Sequence, residues 1–142
     1  MRPVIVTAAL LLAVPALLAG CGGSASGPPA TPEQVCTQMT NIAGTLKNLN
    51  TGIESGQASI AAITSTTTQL KQELVDLNAA MADIDDPNAA KLSASFRQYQ
   101  LAYTRLAPGT TPQEAQAELR EPAADVKASY LALVDSLACP TP

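Results

Sequence analysis

The chain contains no histidine. This absence excludes Ser-His-Asp and Cys-His nucleophile systems, zinc motifs with two helical histidines and histidine-ligated haem. It also excludes the Glu-x-x-His pairs that hold di-iron centres in helical bundles. No glycine-rich phosphate loop follows a strand-like segment. Enzymatic activity would therefore rest on carboxylates, tyrosine, lysine or arginine alone, and we expect neither an enzyme nor a bound cofactor or metal.

Aromatic and basic residues are also scarce. Aromatics make up 3% of the 142 residues and tryptophan is absent, whereas apolar residues, among which alanine is the most frequent, reach 46%. Such a composition favours closely packed helices over a sheet of β-branched and aromatic residues. The net charge is −4 and there is no run of basic residues. We therefore expect no nucleic-acid partner and no polybasic attachment to anionic lipid.

An apolar segment stands at the N-terminus. After Arg2, residues 4–19 read VIVTAALLLAVPALLA without a charge. These 16 residues, interrupted by Pro15, are short for a spanning helix but suit the hydrophobic region of a signal peptide. The segment ends in Leu18, Ala19, Gly20 and Cys21.

The tetrapeptide Leu-Ala-Gly-Cys resembles the lipobox of bacterial lipoproteins, and the likeness covers the first 21 residues. It implies that residues 1–20 are cleaved as a signal peptide and that Cys21 is acylated through its sulfur. Two or three acyl chains give stable anchoring, so the resemblance implies an extracytoplasmic protein held on the cell membrane by membrane lipid. High alanine, low lysine and a Gly-Gly-Ser start resemble actinobacterial lipoproteins. In a host with two membranes, the lack of Asp at position 22 would suggest the outer membrane.

An ordinary secretory signal, cut nearby with Cys21 incidental, is the alternative. In either case residues 22–30, GGSASGPPA, have the composition of a flexible tether. The domain organisation is then a signal peptide at 1–20, the lipidated cysteine and linker at 21–30, and a folded domain at 31–142.

Four apolar stripes with alternating spacings of three and four residues follow the linker. Such spacing places each set on one helical face and suits left-handed bundle packing. The stripes are Val35, Met39, Ile42, Leu46, Leu49 and Ile53; Ile60, Ile63, Thr67, Leu70, Leu74, Leu77, Met81 and Ile84; Leu92, Phe96, Tyr99, Tyr103 and Leu106; and Leu119, Pro122, Val126, Tyr130, Leu133 and Leu137. Short connections between helices of similar length favour antiparallel neighbours. The predicted fold is an all-α, up-down-up-down four-helix bundle.

Local signals support these boundaries. Thr31-Pro32-Glu33-Gln34 and Thr111-Pro112-Gln113-Glu114 each combine a capping threonine, a proline at the first helical position and a residue that can reach back. Asp86-Pro87 starts the third helix in the same way. We expect breaks at 52–56, 85–86 and 108–109, and a kink or new start at Pro122, which denies a hydrogen bond to the carbonyl of Glu118.

Two cysteines remain once Cys21 carries lipid. Cys36 begins the first helix and Cys139 ends the fourth, and these ends lie side by side in an up-down-up-down bundle. Export places them in an oxidising compartment, so we predict a Cys36–Cys139 disulfide. A redox-active pair is the alternative, but such pairs usually occur as Cys-x-x-Cys near a strand–helix junction. The disulfide end also carries the linker and should face the membrane, with the loops at 52–56 and 108–111 pointing away.

A few residues invite a functional interpretation. Phe96, Tyr99, Tyr103 and Tyr130 either line a cavity for an apolar ligand between helices three and four or are simply core. Thr67 either bonds to its own backbone or marks a packing gap. Asp83, Asp85 and Asp86 gather oxygen ligands for calcium, or form a helix cap with solvated charges. The Ser65–Thr68 run could carry a modification on its exposed members.

These observations define hypotheses of different classes. The first is a non-enzymatic, membrane-anchored binding or scaffold domain that engages an envelope protein. The second is a carrier or sensor of a small apolar ligand or lipid within the bundle. A cell-wall enzyme using a carboxylate pair is the third.

Overall fold

A computed structural model of the chain describes residues 30–140. Within this range the chain forms four α-helices and no strand: α1 (Pro32–Ser55), α2 (Ile60–Ala80), α3 (Pro87–Thr104) and α4 (Pro112–Ser136). Helix α1 packs against α2 and α4, and α3 packs against α4. Short connections make successive helices antiparallel. The predicted all-α, up-down-up-down bundle is confirmed.

Each of α1, α3 and α4 begins at its predicted cap. At α1 the backbone N–H of Gln34 donates to Thr31 Oγ1 (3.3 Å), and the Thr31 N–H donates to Gln34 Oε1 (2.9 Å). Thr111 and Glu114 repeat this capping box at α4. At α3, Asp86 caps without a reciprocal partner. These side chains satisfy backbone donors that a helix start leaves unpaired.

The first break falls later than predicted. Helix α1 continues through Gly52 to Ser55, and Gly56 ends it with φ of 59°. A left-handed residue at this position favours glycine, which lacks the Cβ that would clash. Gly52 instead provides close approach, because a Cβ there would lie 3.1 Å from Ala58 Cβ. The α1–α2 loop is therefore 56–59 rather than 52–56.

Helix α4 runs as one element through Pro122, so the expected new start does not occur. Glu118, whose carbonyl loses its partner, lies on the exposed face. Water can hydrogen-bond to that carbonyl, which lowers the cost of an interior proline. The buried position next to it is Ala123 rather than Pro122.

The interior consists of the predicted stripes together with small residues between them. The first stripe is entirely buried, and most members of the other three are buried as well. The sequence pattern had not included Ala102, Ala115, Ala123, Val134, Thr45 and Asn50, which are buried too. Burial of each large aliphatic side chain contributes about 1.5–3 kcal/mol. The buried stripes are therefore the main source of the stability of the bundle.

A disulfide joins Cys36 to Cys139, with their Cα atoms 5.4 Å apart. It links the start of α1 to the segment just after α4, as predicted. At the opposite end of this helix pair, the side chain of Gln116 donates to the Glu54 carbonyl and that of Gln113 to the Gly56 carbonyl. Helices α1 and α4 are thus tied together at both ends. No helix within residues 30–140 is long and apolar enough to cross a membrane.

Candidate functional site

A groove of about 420 Å³ runs between α1 and α4 on the outside of the bundle. Its walls come from two faces that the antiparallel packing places side by side. The lining residues are Ala43, Leu46, Lys47, Asn50, Thr51 and Glu54 of α1, and Lys127, Tyr130, Leu131 and Val134 of α4. From Ala43 to Glu54 the α1 wall rises eleven residues, about 17 Å. The volume falls within the range of small-molecule sites, roughly 300–1,000 Å³.

The floor of the groove is apolar and deeply buried. Leu46, Tyr130 and Val134 form it, and each exposes 4% or less of its surface. The Tyr130 hydroxyl donates to the Met39 carbonyl (2.8 Å), which holds the ring against α1. Burial raises the pKa of Tyr130. Its proton is therefore retained at neutral pH, and the ring acts as an apolar surface.

One amide is buried in this apolar floor. Asn50 is 6% exposed, and its Nδ2 donates to the Leu46 carbonyl one turn earlier (2.9 Å). Burying a polar side chain is unfavourable unless it is hydrogen-bonded. The Nδ2 bond meets part of this requirement and fixes the amide at the polar half of the groove.

The rim carries charge at its middle and one protruding leucine. Lys47 of α1 and Lys127 of α4 are exposed and line opposite walls, and Glu54 lies at the far end. Leu131 is 50% exposed, an unusually large fraction for a leucine beside an apolar floor. The polarity of the groove therefore changes along its length. Ala43, Leu131 and Val134 make its end nearer the disulfide apolar, and Asn50, Thr51 and Glu54 make its other end polar.

The aromatic residues singled out from the sequence lie in two places. Phe96 and Tyr99 stack in the core with ring centroids 6.0 Å apart. Tyr99 is fully buried, and its hydroxyl pairs with that of Thr67 on α2 (2.8 Å), while the Tyr103 hydroxyl pairs with that of Thr64 (2.6 Å). The hydroxyls of Tyr99 and Tyr103 join α3 to α2, whereas that of Tyr130 bonds to α1.

The hydrogen bond to Tyr99 explains how the polar side chain of Thr67 is accommodated in an apolar stripe. Its hydroxyl bonds across to α3 rather than to its own backbone. The backbones of α2 and α3 stay farther apart than those of the other neighbouring pairs, because large rings fill the space between them. Desolvation by burial raises the pKa of Tyr99 to about 12. A neutral, hydrogen-bonded phenol in this setting is part of the packing.

The acidic cluster is used at least in part as a cap. Asp86 accepts from the Asn88 N–H (2.7 Å) and from the Ser136 hydroxyl of α4 (2.7 Å). The Ser136 hydroxyl, followed by the Asn88 N–H, lowers the pKa of Asp86. No group of three or more potential metal-ligating side chains gathers within the described part of the chain. In the Ser65–Thr68 run, Ser65 and Thr68 are exposed and Thr67 is buried.

A second polar cluster lies between α1 and α2. Glu73 Oε1 accepts from the Thr45 hydroxyl (2.8 Å) and from Gln69 Nε2 (2.9 Å), and Gln69 also donates to Thr45 Oγ1 (3.1 Å). The other carboxylate oxygen, Glu73 Oε2, is buried without a hydrogen-bond partner among the described residues. Two of these hydrogen bonds connect Thr45 of α1 to α2, and they fix the register between the two helices.

The sequence did not reveal the groove. Of its lining residues, the sequence suggests a functional role only for Tyr130, and it places that residue in a cavity between helices three and four. A signal was present, because Lys47 follows Leu46, and Lys127 follows Val126, so both lysines border the buried stripes of helices that the disulfide brings together. The lipobox residues Leu18, Ala19, Gly20 and Cys21 lie outside the described residues.

Comparison with known proteins adds no assignment to this geometry. No family model, no curated protein and no solved structure matches the chain significantly. The function must therefore be inferred from the chain's own residues.

Proposed function

We propose that this protein is a lipid-anchored, extracytoplasmic domain of the cell envelope that acts by binding rather than by catalysis. The observation that carries the proposal is the groove between α1 and α4. It combines an apolar floor, a half-exposed leucine and two lysines in a protein with a net charge of −4. An apolar concavity with a few convergent polar groups is the usual form of a binding site.

The anchor is the part of the proposal that rests on the lipobox. Acylation of Cys21, after cleavage behind Gly20, would hold the domain on the outer face of the cell membrane. The Cys36–Cys139 disulfide supports an extracytoplasmic location, since structural disulfides persist in oxidising compartments. Because the disulfide end also carries the linker, we place it toward the membrane and the loops at 56–59 and 105–111 away from it.

The non-enzymatic assignment rests on chemistry. The chain lacks histidine, so proton transfer near neutral pH would need a carboxyl group with a raised pKa. The Asp86 carboxyl group has a lowered pKa and serves as a helix cap. The groove contains one carboxylate, Glu54, rather than the pair that acid–base hydrolysis requires.

Site-specific photo-crosslinking in the native host tests the binding surface. A photoreactive amino acid at Leu131 should capture one envelope component reproducibly. The same residue at Leu101 is the matched control, because Leu101 is equally exposed (51%) but lies on α3 away from the groove. Equal capture at both positions, or none at Leu131, would contradict the proposal.

The anchor has its own test. Cys21→Ser should abolish the added acyl mass and release the domain from the membrane fraction. Cys36→Ser, which removes the disulfide of the described domain, should leave acylation unchanged. A wild-type protein that begins at Met1, or that lacks acyl mass, would refute the anchoring.

A second candidate function, a carrier of a small apolar ligand or lipid, is favoured by the shape of the same groove. Apart from Leu131, its large apolar side chains lie below the rim, so a slender molecule reaches them more easily than a flat surface does. The hydroxyls of Tyr99 and Tyr130, two of the residues proposed to line an internal cavity, are already hydrogen-bonded to α2 and α1. Any carried ligand would therefore lie in the surface groove.

A further inference from the structure

We propose that the occupant of the α1/α4 groove is a single-chain amphiphile with an anionic head, held with its tail toward the disulfide end. This inference rests on the proposed function, since it assumes that the groove is the binding surface. Ligands of this class have one acyl chain joined to a carboxylate or a phosphate.

The depth of the apolar surface argues for a chain rather than a helix. A partner helix with its side chains is about 10–12 Å wide and docks on apolar side chains that project toward it. Here Leu46, Tyr130 and Val134 are each at least 96% buried, and Leu131 alone among the large apolar lining residues projects. A chain of methylene groups is thin enough to lie along such a floor.

The charges select the head group. Lys47 and Lys127 are two of the four lysines in the chain, and they face the groove from opposite helices. Against them the lining contains a single carboxylate, Glu54, so the groove is locally positive in a protein with net charge −4. An anionic head between the two ammonium groups would form charge-assisted hydrogen bonds. A neutral head would lack the ion pairing, and a cationic head would be repelled.

The gradient along the groove sets the orientation. Ala43, Leu131 and Val134 surround the tail end, and the lysines follow about one turn further along α1. Beyond them, the amide of Asn50 and the hydroxyl of Thr51 offer hydrogen bonds to the polar part of the head. The tail therefore points toward the disulfide and the head toward the loop at 56–59.

Photolabelling of the purified lipoprotein in phosphatidylcholine nanodiscs tests this inference. The probe is a palmitic acid that carries a diazirine in its chain, and its methyl ester is the neutral control with the same tail. After irradiation, peptide mass spectrometry compares labelling of residues 43–54 and 127–134 with labelling around Leu101. We expect the acid to label the groove segments at least fivefold more than the Leu101 segment.

Matched lysine variants isolate the charge. The double variant Lys47→Gln and Lys127→Gln should lower groove labelling by the acid roughly fivefold, as expected for two exposed ion pairs. The double variant Lys71→Gln and Lys91→Gln removes the same charge outside the groove and should change it less than twofold. Labelling by the ester should be insensitive to both. Palmitate and a palmitoyl lysophospholipid with a phosphate head, used as competitors, then distinguish the two sources of negative charge.

The outcomes separate this inference from the proposed function. Equal labelling by acid and ester, or equal effects of the two lysine pairs, overturns the anionic head. Uniform labelling of the groove and of α3 overturns the amphiphile altogether. If Leu131 still captures an envelope protein in that case, the proposed binding function survives with a different occupant. Loss of both signals refutes the two together.

Discussion

Removal of the Cys36–Cys139 disulfide should destabilise the bundle more than any other change outside the apolar core. The bond closes a loop with a sequence separation of 103, which spans nearly the whole described domain. In the chain-entropy model a loop of this length restricts the unfolded ensemble by about 4.7 kcal/mol at 25 °C. Domains of this size are typically stable by about 5–15 kcal/mol. The disulfide therefore supplies a large share of the total.

The variant with both Cys36→Ala and Cys139→Ala should lose roughly 3–5 kcal/mol of unfolding free energy. Urea unfolding followed by far-ultraviolet circular dichroism measures this loss. Because the constraint acts on the unfolded chain, the slope of free energy against urea should also rise, as the released chain exposes more surface. Wild-type protein unfolded with and without a reducing agent is the control that leaves the side chains unchanged.

Two results would refute this reasoning. A loss below about 1 kcal/mol would mean that the unfolded chain is already compact enough to make the cross-link irrelevant. Two free thiols in the mature protein, found by mass spectrometry after alkylation, would show that the bond does not form in the cell. In that case the pairing of the α1 start with the end of α4 would depend on packing alone.

The remaining predictions concern buried tyrosine and two glycines. Tyr99→Phe leaves the buried Thr67 hydroxyl without its partner and should cost about 1–3 kcal/mol in chemical denaturation, whereas Tyr103→Phe at the rim should cost less than half of that. Since burial raises the pKa of Tyr99 to about 12, its phenol should stay protonated in the folded domain above pH 10, where tyrosines of an unfolded chain ionise, and the unfolding free energy should fall as pH rises from 10 to 12; an ultraviolet titration of the folded protein that coincides with that of the urea-unfolded chain would contradict this. Gly56→Ala should destabilise the domain by about 1 kcal/mol, because φ is 59° and the new Cβ would lie 2.9 Å from Gln116 Oε1. Gly44→Ala should stabilise it by about 0.5–1 kcal/mol, because Gly44 lies inside α1 and no atom lies within 4 Å of the new Cβ. Thermal melts in which both variants shift in the same direction would contradict this distinction.

The sequence was sufficient for the helices and for their order. Apolar side chains repeated every three or four residues predict a buried stripe whatever lies opposite, so the first stripe is buried throughout. Capping depends on neighbours within three residues, and Thr31 and Thr111 therefore cap as predicted. The disulfide followed from topology, because an up-down-up-down bundle places the start of α1 beside the end of α4.

Features that depend on distances between helices could not be predicted. Alanine occurs on every face of these helices, so Ala102, Ala115 and Ala123 gave no periodic signal although all three are buried. Thr67 was recognised as an exception in its stripe, but its partner on another helix could not be identified without the packing. The groove likewise depends on the distance between α1 and α4, both of which contribute to its walls. Both helices are regular, and neither pattern encodes the gap between them.

The proposed anchor and the proposed ligand together require a particular orientation of the groove relative to the membrane. Ala43 stands seven residues beyond Cys36, so the apolar end of the groove begins about 10 Å from the disulfide along α1. The linker at 22–30 can extend to about 30 Å at most. If the disulfide end faces the membrane, an acyl chain could pass between a leaflet and the groove without turning over, because the head enters first and reaches the lysines while the tail still points toward the bilayer. A head group that must travel past Leu131 to reach Lys47 and Lys127 is better suited to slow exchange than to rapid shuttling. A domain held the other way up would instead present its polar end to the bilayer, and the apolar end would face water.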